Sequence, residues 1–389
     1  MIKDSANFSV VFRNPEKIIP VHYIYAFDAF FDDRDALFFN SAMFAQVEHP
    51  DHLDPQTLDG YLARGWFRMG QTIFTTNFLH FSDQMYSAIW LRVALGEFGK
   101  DSGQAKLFKQ NKNFQTRIQP AVLTSEHEAL YHRYRQPLAF EPSASLGQLL
   151  YGKRAVNTIY NTYEITVHDG EKLIAVGFFD LGLHSAMGIT SVYDPEYKKY
   201  SLGKYLIYRK MDFCKMQGLH YFYPGYFVPG YSYFDYKLTI GRSALQFLKL
   251  TTQEWVPIAQ FTNDDVPYQV MLSKLESLKA LLPACQILKY EYFDANLVPD
   301  LKDFELFDFP LLLQYSDPSE NGILQTVIFD VRDEEFHMLL CSPAFTPREP
   351  TSDPDFYSRH LLLVEQEIFS TPSPHDMAEV ILKFVRPLS

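Results

Sequence analysis

Residues 158–230 decide the fold, and they read TIYNTYEITVHDGEKLIAVGFFDLGLHSAMGITSVYDPEYKKYSLGKYLIYRKMDFCKMQGLHYFYPGYFVPG. Two segments rich in β-branched and aromatic residues, 158–167 and 172–181, flank the dipeptide Asp169-Gly170. Asp-Gly favours the tight turns that join antiparallel strands. The stretch therefore begins with a predicted β-hairpin.

The second half of the stretch adds a strand, a helix and another strand. Residues 187–193 predict the strand, and apolar residues recur at helical spacing over 201–218, where Gly218 can end the helix. Residues 219–223 predict the strand that follows. Hairpin, strand, helix and strand in this order indicate an α/β (α+β) fold with an acyltransferase core of the GNAT type, a mixed sheet that opens to admit an acyl donor.

The rest of the chain divides around this core. Residues 60–70, GYLARGWFRMG, are rich in aromatic and cationic residues and predict a small N-terminal module. The predicted domains are an N-terminal module over 1–120, the GNAT-like transferase domain over 121–299, and an acidic C-terminal α+β extension over 300–389.

Charge is distributed unevenly along the 389 residues. The formal net charge is −12, yet residues 300–389 hold 17 Asp and Glu against 6 Lys and Arg, which leaves 30 against 29 in the preceding part. A general nucleic-acid binder is disfavoured by the total charge, whereas local basic segments remain available for RNA.

Targeting and redox signals are also informative. The first residues, MIKDS, do not begin a secretory signal, and no apolar segment approaches the roughly 18 residues that span a bilayer. A cytoplasmic location is expected. Cys214, Cys285 and Cys341 lie far apart without the paired spacing of zinc or iron–sulfur sites, so no metal is predicted.

Several blocks within and around this stretch carry a family resemblance. SVYDP at 191–195, SLG at 201–203, YFYPGYFVPG at 221–230 and YK at 236–237 occur in order. They resemble the C-terminal domain of arginyl-tRNA–protein transferases, which reads S-x-Y-x-x-x-D-P, S-L-G, Y-Y-Y-x-G-Y-Y-I and Y-K. Trp255-Val256-Pro257 resembles the W-V-P of the same family.

The N-terminal module resembles that family too. Residues 64–70, RGWFRMG, are similar to its R-G-W-R-R-S-G, with Phe67 in place of one arginine. The resemblance spans about residues 60–260. It implies transfer of arginine from arginyl-tRNA to proteins beginning with Asp or Glu, a step of the N-end rule of protein degradation. The family's N-terminal cysteine pairs have no counterpart, since no Cys precedes Cys214.

The implied reaction is attack by an α-amine on an ester that is already activated. An α-amine has a pKa of about 7.7–8.0, so a mild base, correct positioning and oxyanion stabilisation suffice, without metal, cofactor or covalent nucleophile. Backbone N–H groups at the helix start could polarise the ester, although Ser201 could equally be a plain N-cap. The catalytic candidates are Asp180, Tyr193, Ser201 and Gly203.

An acidic acceptor needs cations, and tyrosines of the matched blocks could line its site. The alternatives are solvated cations and tyrosines packed in the core. The substrate-binding candidates are Arg64, Trp66, Arg68, Tyr223, Tyr226, Tyr236, Lys237 and Arg242.

The tRNA phosphates need basic side chains, and two segments supply them. One spans 100–117; the other contains Lys198, Lys199, Lys204, Arg209, Lys210 and Lys215. The alternative is a solvated face. The tRNA-binding candidates are Lys106, Lys109, Lys112, Arg117, Lys204 and Arg209.

Three other functions remain open at this point. A leucyl donor would use the same chemistry, as in related bacterial enzymes. An acyl-coenzyme A donor is disfavoured, because the usual pyrophosphate loop is missing around residues 200–204. A non-catalytic binder of tRNA or of protein N-termini is favoured by the absent cysteines and by Phe67.

Overall fold

A computed structural model describes residues 43–81, 84–99, 102–138, 142–152, 158–298, 301, 304, 306–316, 322–345, 358 and 360–385. Among the basic residues of the first predicted tRNA-binding segment, Lys100 lies outside the described residues. In the described part of the chain, no helix is both long and apolar enough to cross a membrane.

The strands, in chain order, are β1 Ala45–Glu48, β2 Phe67–Met69, β3 Thr72–Thr76, β4 Phe78–Phe81, β5 Gln84–Ser87, β6 Ile89–Ala94, β7 Gln115–Pro120, β8 Thr162–Asp169, β9 Lys172–Leu181, β10 Ser185–Tyr193, β11 Tyr221–Phe227, β12 Leu245–Lys249, β13 Glu254–Pro257, β14 Gln286–Lys289, β15 Leu311–Gln314, β16 Leu324–Asp330, β17 Glu335–Phe345 and β18 Leu361–Thr371. The α-helices are α1 Pro55–Ala63, α2 Ser102–Gln110, α3 Ser125–Arg135, α4 Leu146–Tyr151, α5 Leu202–Met216, α6 Pro267–Lys279 and α7 Pro374–Val385.

The central sheet has eight strands in the order β13-β12-β6-β11-β10-β9-β8-β7. Within the described residues, β10 and β11 form its parallel pair, and the other neighbours are antiparallel. The hairpin β8–β9, the strand β10, the helix α5 and the parallel strand β11 follow one another as predicted. The predicted α/β fold class with a GNAT-like core is confirmed.

One face of this sheet is covered by helices. α5 packs on β9 and β10, α3 packs beside it, and α2 packs on α5. The buried side chains of α5 include Leu202, Leu206 and Met211, each fully shielded from solvent. Burial of each such side chain stabilises the packing by about 1.5–3 kcal/mol, so the apolar stripe of α5 fixes its position over the sheet.

The opposite face is covered by the N-terminal elements. A small sheet in the order β1-β3-β2 and the helix α1 pack there, and Trp90 stacks on Phe67 of β2 with ring centroids 5.6 Å apart. The N-terminal elements thus form one wall of the space above the central sheet.

The last part of the chain builds a five-stranded antiparallel sheet in the order β14-β15-β16-β17-β18, covered by α6 and α7. Its core includes Phe44, Phe78 and Tyr268 from earlier in the chain. Both predicted domain boundaries fall within shared sheets, because β6 and β7 join the strands after residue 121 and β14 joins the strands after residue 300. The division into domains at residues 120/121 and 299/300 therefore stays a prediction.

Candidate functional site

The central sheet opens between its two parallel strands. β10 and β11 pair only over residues 185–187 and 221–223, although both strands continue beyond that point. A bulge in β10 between Gly188 and Thr190 marks the place where pairing stops. We call the space between residues 188–193 and 224–227 the opening.

Helix α5 begins at the outer end of the opening. Ser201 precedes it with φ 51° and ψ 44°, a left-handed conformation, and its side chain makes no capping hydrogen bond. The predicted N-cap role of Ser201 is therefore wrong, because a cap needs extended backbone that directs the hydroxyl to the first turn. Without that side-chain cap, the N–H groups of the first turn, Gly203 included, can bind an anion.

Tyr193 ends β10 at the start of this helix. It is buried, its ring meets the edge of Tyr134 at 5.3 Å, and a Cβ added at Gly203 would lie 3.7 Å from the Tyr193 ring. That distance is ordinary contact, so the structure does not require glycine at this position for space. Tyr193 supports the helix start through packing.

A row of side chains crosses the sheet at the inner end of the opening. Thr162 lies opposite Asp180, Asp180 lies opposite Met187, and Met187 lies opposite Tyr223. The Tyr223 hydroxyl takes a hydrogen bond from Arg92, and Arg92 lies opposite Gln246. Residues directly opposite in neighbouring strands project to the same face. We call these residues the transverse row, and they lie on the face covered by the N-terminal elements.

Arg68 and Asp180 form a buried ion pair at one end of this row. Arg68 Nη1 lies 2.8 Å and 3.0 Å from the two carboxylate oxygens, and Thr162 Oγ1 donates to the same carboxylate at 2.6 Å. Asp180 is 0% exposed and Arg68 is 7% exposed. Burial raises the pKa of Asp180, and the guanidinium opposes that shift.

The remaining groups of Arg68 are also engaged. Its Nε donates to the Gly70 carbonyl at 2.7 Å, Nη2 donates to the Leu150 carbonyl, and the guanidinium lies 4.5 Å from the centroid of the Tyr160 ring. Arg68 is thus engaged within the protein, and its predicted role in binding an acidic acceptor stays a prediction. Asp180 equally faces an internal partner rather than an incoming amine.

Lys237 is a second predicted receptor that the structure places in the interior. It is 1% exposed, its Nζ donates to the Tyr226 carbonyl at 2.7 Å, and its ammonium lies 5.4 Å from the Tyr226 ring centroid. Burial lowers the pKa of Lys237 well below its ordinary value. An acceptor carboxylate cannot reach it in this structure.

The predicted tyrosines are mostly packing residues. Tyr226 meets the edge of Trp90 at 5.1 Å, and burial raises the pKa of its hydroxyl, as it does for Tyr236. Tyr223 is 4% exposed and belongs to the transverse row, where burial raises its pKa to about 12. The core-packing alternative holds for Tyr226, whereas Tyr223 lies at the opening.

Several predicted cationic and aromatic residues stay accessible. Arg64 is exposed and lies over the Tyr61 ring at 5.2 Å, Trp66 is half-buried against that ring, and Arg242 is exposed.

The sequence predictions missed Arg92, at the other end of the transverse row. It is half-buried, and its guanidinium lies over the rings of Tyr221 and Trp255, 4.0 Å and 4.7 Å from their centroids. Its Nε donates to Gln246 Oε1 at 2.7 Å. A signal was present, because Arg92 is the single charged residue in the apolar strand Ile89–Ala94.

The two predicted basic segments meet on the helical side of the molecule. Gln110 Nε2 donates to the Lys199 carbonyl at 2.8 Å, and Asn111 Nδ2 donates to the Tyr200 carbonyl at 3.1 Å. These contacts join α2 to the turn before α5. We call the exposed cations that share this surface the basic face: Lys106, Lys109, Lys112, Arg117, Lys198 and Lys199.

Other members of the second segment are used internally. Lys204 donates to Thr239 Oγ1 at 2.9 Å, the Arg209 guanidinium lies 5.8 Å from the Phe108 ring centroid, and Lys210 is 1% exposed. Lys215 donates to the Phe98 carbonyl. Lys204 and Arg209 are half-buried, so phosphate contacts are expected from the basic face instead.

Cys214 and Cys341 do not share a metal site. Cys214 is buried in the core between the central sheet and α5, whereas Cys341 is buried in the core of the C-terminal sheet. Two thiols in separate cores cannot ligate one ion.

A mixed sheet that opens between two parallel strands, with a helix starting at the opening, places the chain in the GNAT-like class of α/β folds. Residues 126–246, which contain the opening and α5, match the family model described as "Arginine-tRNA-protein transferase, C terminus". An aspartate/glutamate leucyltransferase of Leptospira interrogans (serovar copenhageni, strain Fiocruz L1-130) is 30% identical over 194 residues, which cover 48% of this chain and 73% of that protein. The chain belongs to the aminoacyl-tRNA–protein transferase family.

A second curated relative bears the same name. An aspartate/glutamate leucyltransferase of Helicobacter hepaticus is 27% identical over 198 residues, covering 49% of this chain and 78% of that protein. Among solved structures, the ribosomal-protein-S18-alanine N-acetyltransferase from Escherichia coli overlaps 27% of this chain and 63% of its own, with 22% identity and a TM-score of 0.21. The predicted family is confirmed at the level of aminoacyl-tRNA–protein transferases, an enzyme family.

Proposed function

We propose that the chain transfers leucine from leucyl-tRNA to the α-amine of proteins that begin with Asp or Glu. The observation that carries the proposal is the opening between β10 and β11, which lies inside the segment matching the transferase family model. The names of the relatives, aspartate/glutamate leucyltransferases, support the donor and the acceptors.

The residues of the opening favour a leucyl over an arginyl donor. Neither 188–193 nor 224–227 contains an Asp or Glu. Asp194, which follows directly, is 3.2 Å from Lys172 Nζ and 3.4 Å from Arg133 Nε. Because a buried guanidinium needs an anionic partner, an apolar side chain suits this space better. The arginyl donor remains the second candidate, favoured by the family model's description.

The reaction needs little acid–base chemistry. The acceptor nitrogen forms a bond to the ester carbonyl carbon, the bond from that carbon to the ribose oxygen breaks, and the proton lost by the amine balances the one gained by the ribose. The free N–H groups at the start of α5 are positioned to polarise an ester at the opening. The transverse row provides the floor on which the acceptor amine is placed.

The tRNA is held by the basic face in this proposal. Its exposed cations come from two segments that α2–α5 packing brings together, next to the helix start at the opening. Phosphate contacts position a nucleic acid without reading its sequence. Because aminoacyl-tRNA is the donor, we expect the chain to act in the cytoplasm.

Transfer assays test the donor and the class of reaction together. The purified chain is incubated with tRNA charged with radiolabelled leucine or arginine and with peptides beginning with Asp, Glu or Ala. We expect ribonuclease-sensitive labelling of the Asp and Glu peptides by leucine. Faster transfer of arginine would overturn the donor assignment, and binding of tRNA without transfer of either amino acid would indicate a non-catalytic binder.

A further inference from the structure

Two arginines lie at opposite ends of the transverse row, and they differ in their partners. Arg68 is neutralised by Asp180. Arg92 has no carboxylate within ion-pairing distance among the residues that the structure describes. A half-buried guanidinium without an anion is costly unless a ligand supplies one.

The surroundings of Arg92 hold it in one orientation. The guanidinium lies over the rings of both Tyr221 and Trp255, and Gln246 accepts from Nε. Stacking on aromatic rings and a fixed Nε hold the guanidinium in place, and the Tyr223 hydroxyl takes a further hydrogen bond from it. The remaining N–H groups of the Nη atoms can meet a carboxylate. Trp255 is itself fixed, because its Nε1 donates to the Ala63 carbonyl at 2.8 Å.

The position of Arg92 relative to the opening suits an acceptor. Arg92 faces Tyr223, whose neighbour across the parallel pair is Met187, the last paired residue before the opening. The α-amine of an N-terminal Asp or Glu is only a few bonds from its side-chain carboxylate. A receptor for that carboxylate must therefore lie beside the place where the amine meets the ester.

We propose that Arg92 is the receptor for the side-chain carboxylate of the acceptor's first residue, with Tyr221, Trp255 and Gln246 as the residues that orient it. This inference rests on the proposed function for the identity of the acceptor. It assigns the specificity for acidic N-termini to a residue outside the matched motifs and distinguishes Arg92 from Arg68, which has a structural partner.

Kinetics on matched peptides test the assignment. In Arg92→Gln, kcat/KM for peptides beginning with Asp and Glu is expected to fall about 10- to 100-fold, the loss of a charge-assisted hydrogen bond to a carboxylate, mainly through KM. Peptides beginning with Asn and Gln should change by less than about threefold, since their uncharged amide oxygen accepts only a weaker, single hydrogen bond from a guanidinium. Arg92→Lys should be intermediate, because an ammonium lacks the planar fork.

Controls separate selectivity from folding. Lys279→Gln and Lys383→Gln remove exposed cations that belong to no candidate site, and both should retain the preference for Asp over Asn. Gln246→Leu keeps Arg92 but frees its Nε, and a rise in KM for acidic peptides alone is expected. Equal losses on Asp and Asn peptides in Arg92→Gln, or no loss at all, would overturn the inference.

Binding without tRNA separates the inference from the proposed function. Titration calorimetry of the free chain with an Asp-peptide and an Asn-peptide should show tighter binding of the former, and Arg92→Gln should abolish that difference. Arg92-dependent binding without any transfer would support the inference and sink the proposed function. If Arg92→Gln still transfers the amino acid with an unchanged preference for acidic first residues, the proposed function is supported and the inference about Arg92 is wrong.

Discussion

Arg68 and Asp180 illustrate how a catalytic-looking acid can be structural. The carboxylate accepts hydrogen bonds from Arg68 and Thr162 and is shielded from solvent. A buried pair of this kind contributes little net stability when intact, yet it is damaging to break, because one charge is left without a partner in a medium of low dielectric constant.

Removal of the guanidinium should therefore be severe. Arg68→Gln is expected to lower the free energy of unfolding by about 3–5 kcal/mol, measured by urea denaturation. In Arg68→Gln/Asp180→Asn the loss should be smaller than the sum of the two single losses, since the uncompensated charge is gone. Additive losses would contradict the pairing.

Lys210 is a second buried charge with a measurable consequence. Its Nζ donates to the carbonyls of Phe178 and Thr190, both at 2.8 Å, where the bulge of β10 interrupts the ladder. Burial lowers the pKa of Lys210 to about 7. The folded chain thus binds fewer protons than the unfolded chain between about pH 7 and the ordinary lysine value of 10.5.

Stability should respond to pH with a defined sign. Where the unfolded state binds more protons, the free energy of unfolding rises with pH. Lys210 therefore makes the wild-type chain gain stability from about pH 7 towards 10.5, and Lys210→Met should lack this gain. Denaturation at about pH 7, 8 and 9 checks this. An unchanged difference between the two proteins across that range would show that Lys210 does not titrate there.

At the scale of elements, the central strands and α5 were predictable and the contacts between them were not. Lys172–Leu181 reads as a strand from its own residues, and the helix after Ser201 follows from apolar spacing. Local sequence fixes such elements because their hydrogen bonds are local or their apolar pattern is periodic. The strands of the parallel pair were also predicted, although β11 runs over Tyr221–Phe227 rather than over 219–223.

Sequence patterns misjudged the surroundings of site residues whose role depends on a partner far away in the chain. Asp180 looked available because Arg68 lies 112 residues earlier, and Lys210 looked like part of a basic segment although it faces the sheet. Arg92 was missed since its aromatic neighbours come from β11 and β13. Strand pairing determines which Lys and Arg side chains have a partner within the protein and which stay accessible to a ligand. The composition of a segment does not show this.

The bulge of β10 depends on how α5 packs against the sheet. A Cβ added at Gly177 would lie 2.8 Å from Lys210 Cε and 3.0 Å from its Nζ. Glycine at this position therefore makes room for the lysine side chain that satisfies the bulge carbonyls. The opening is supported from the helical side by this contact.

At the scale of the whole molecule, an acidic protein presents a local basic face. Replacing Lys106, Lys109, Lys198 and Lys199 by Gln should weaken tRNA binding and reduce the slope of log K against log salt by about 0.7–0.9 for each phosphate that is no longer neutralised. Filter binding over a series of salt concentrations measures it.

A matched pair of substitutions on the C-terminal unit provides the comparison. Lys279→Gln and Lys383→Gln remove exposed cations from α6 and α7. Neither should alter the salt slope. If the four substitutions on the basic face also leave it unchanged, that surface is merely solvated, and tRNA binds elsewhere.

The C-terminal sheet also bears on how the nascent chain matures. Asp308 accepts hydrogen bonds from the backbone N–H groups of Phe44 and Ala45, at a separation of 264 residues in the first case. The start of β1 thus acquires its anchor only after the ribosome has entered the last quarter of the protein. Chains released early by truncation would expose Phe44 and Phe78, which makes them substrates for chaperones and proteases rather than shortened enzymes.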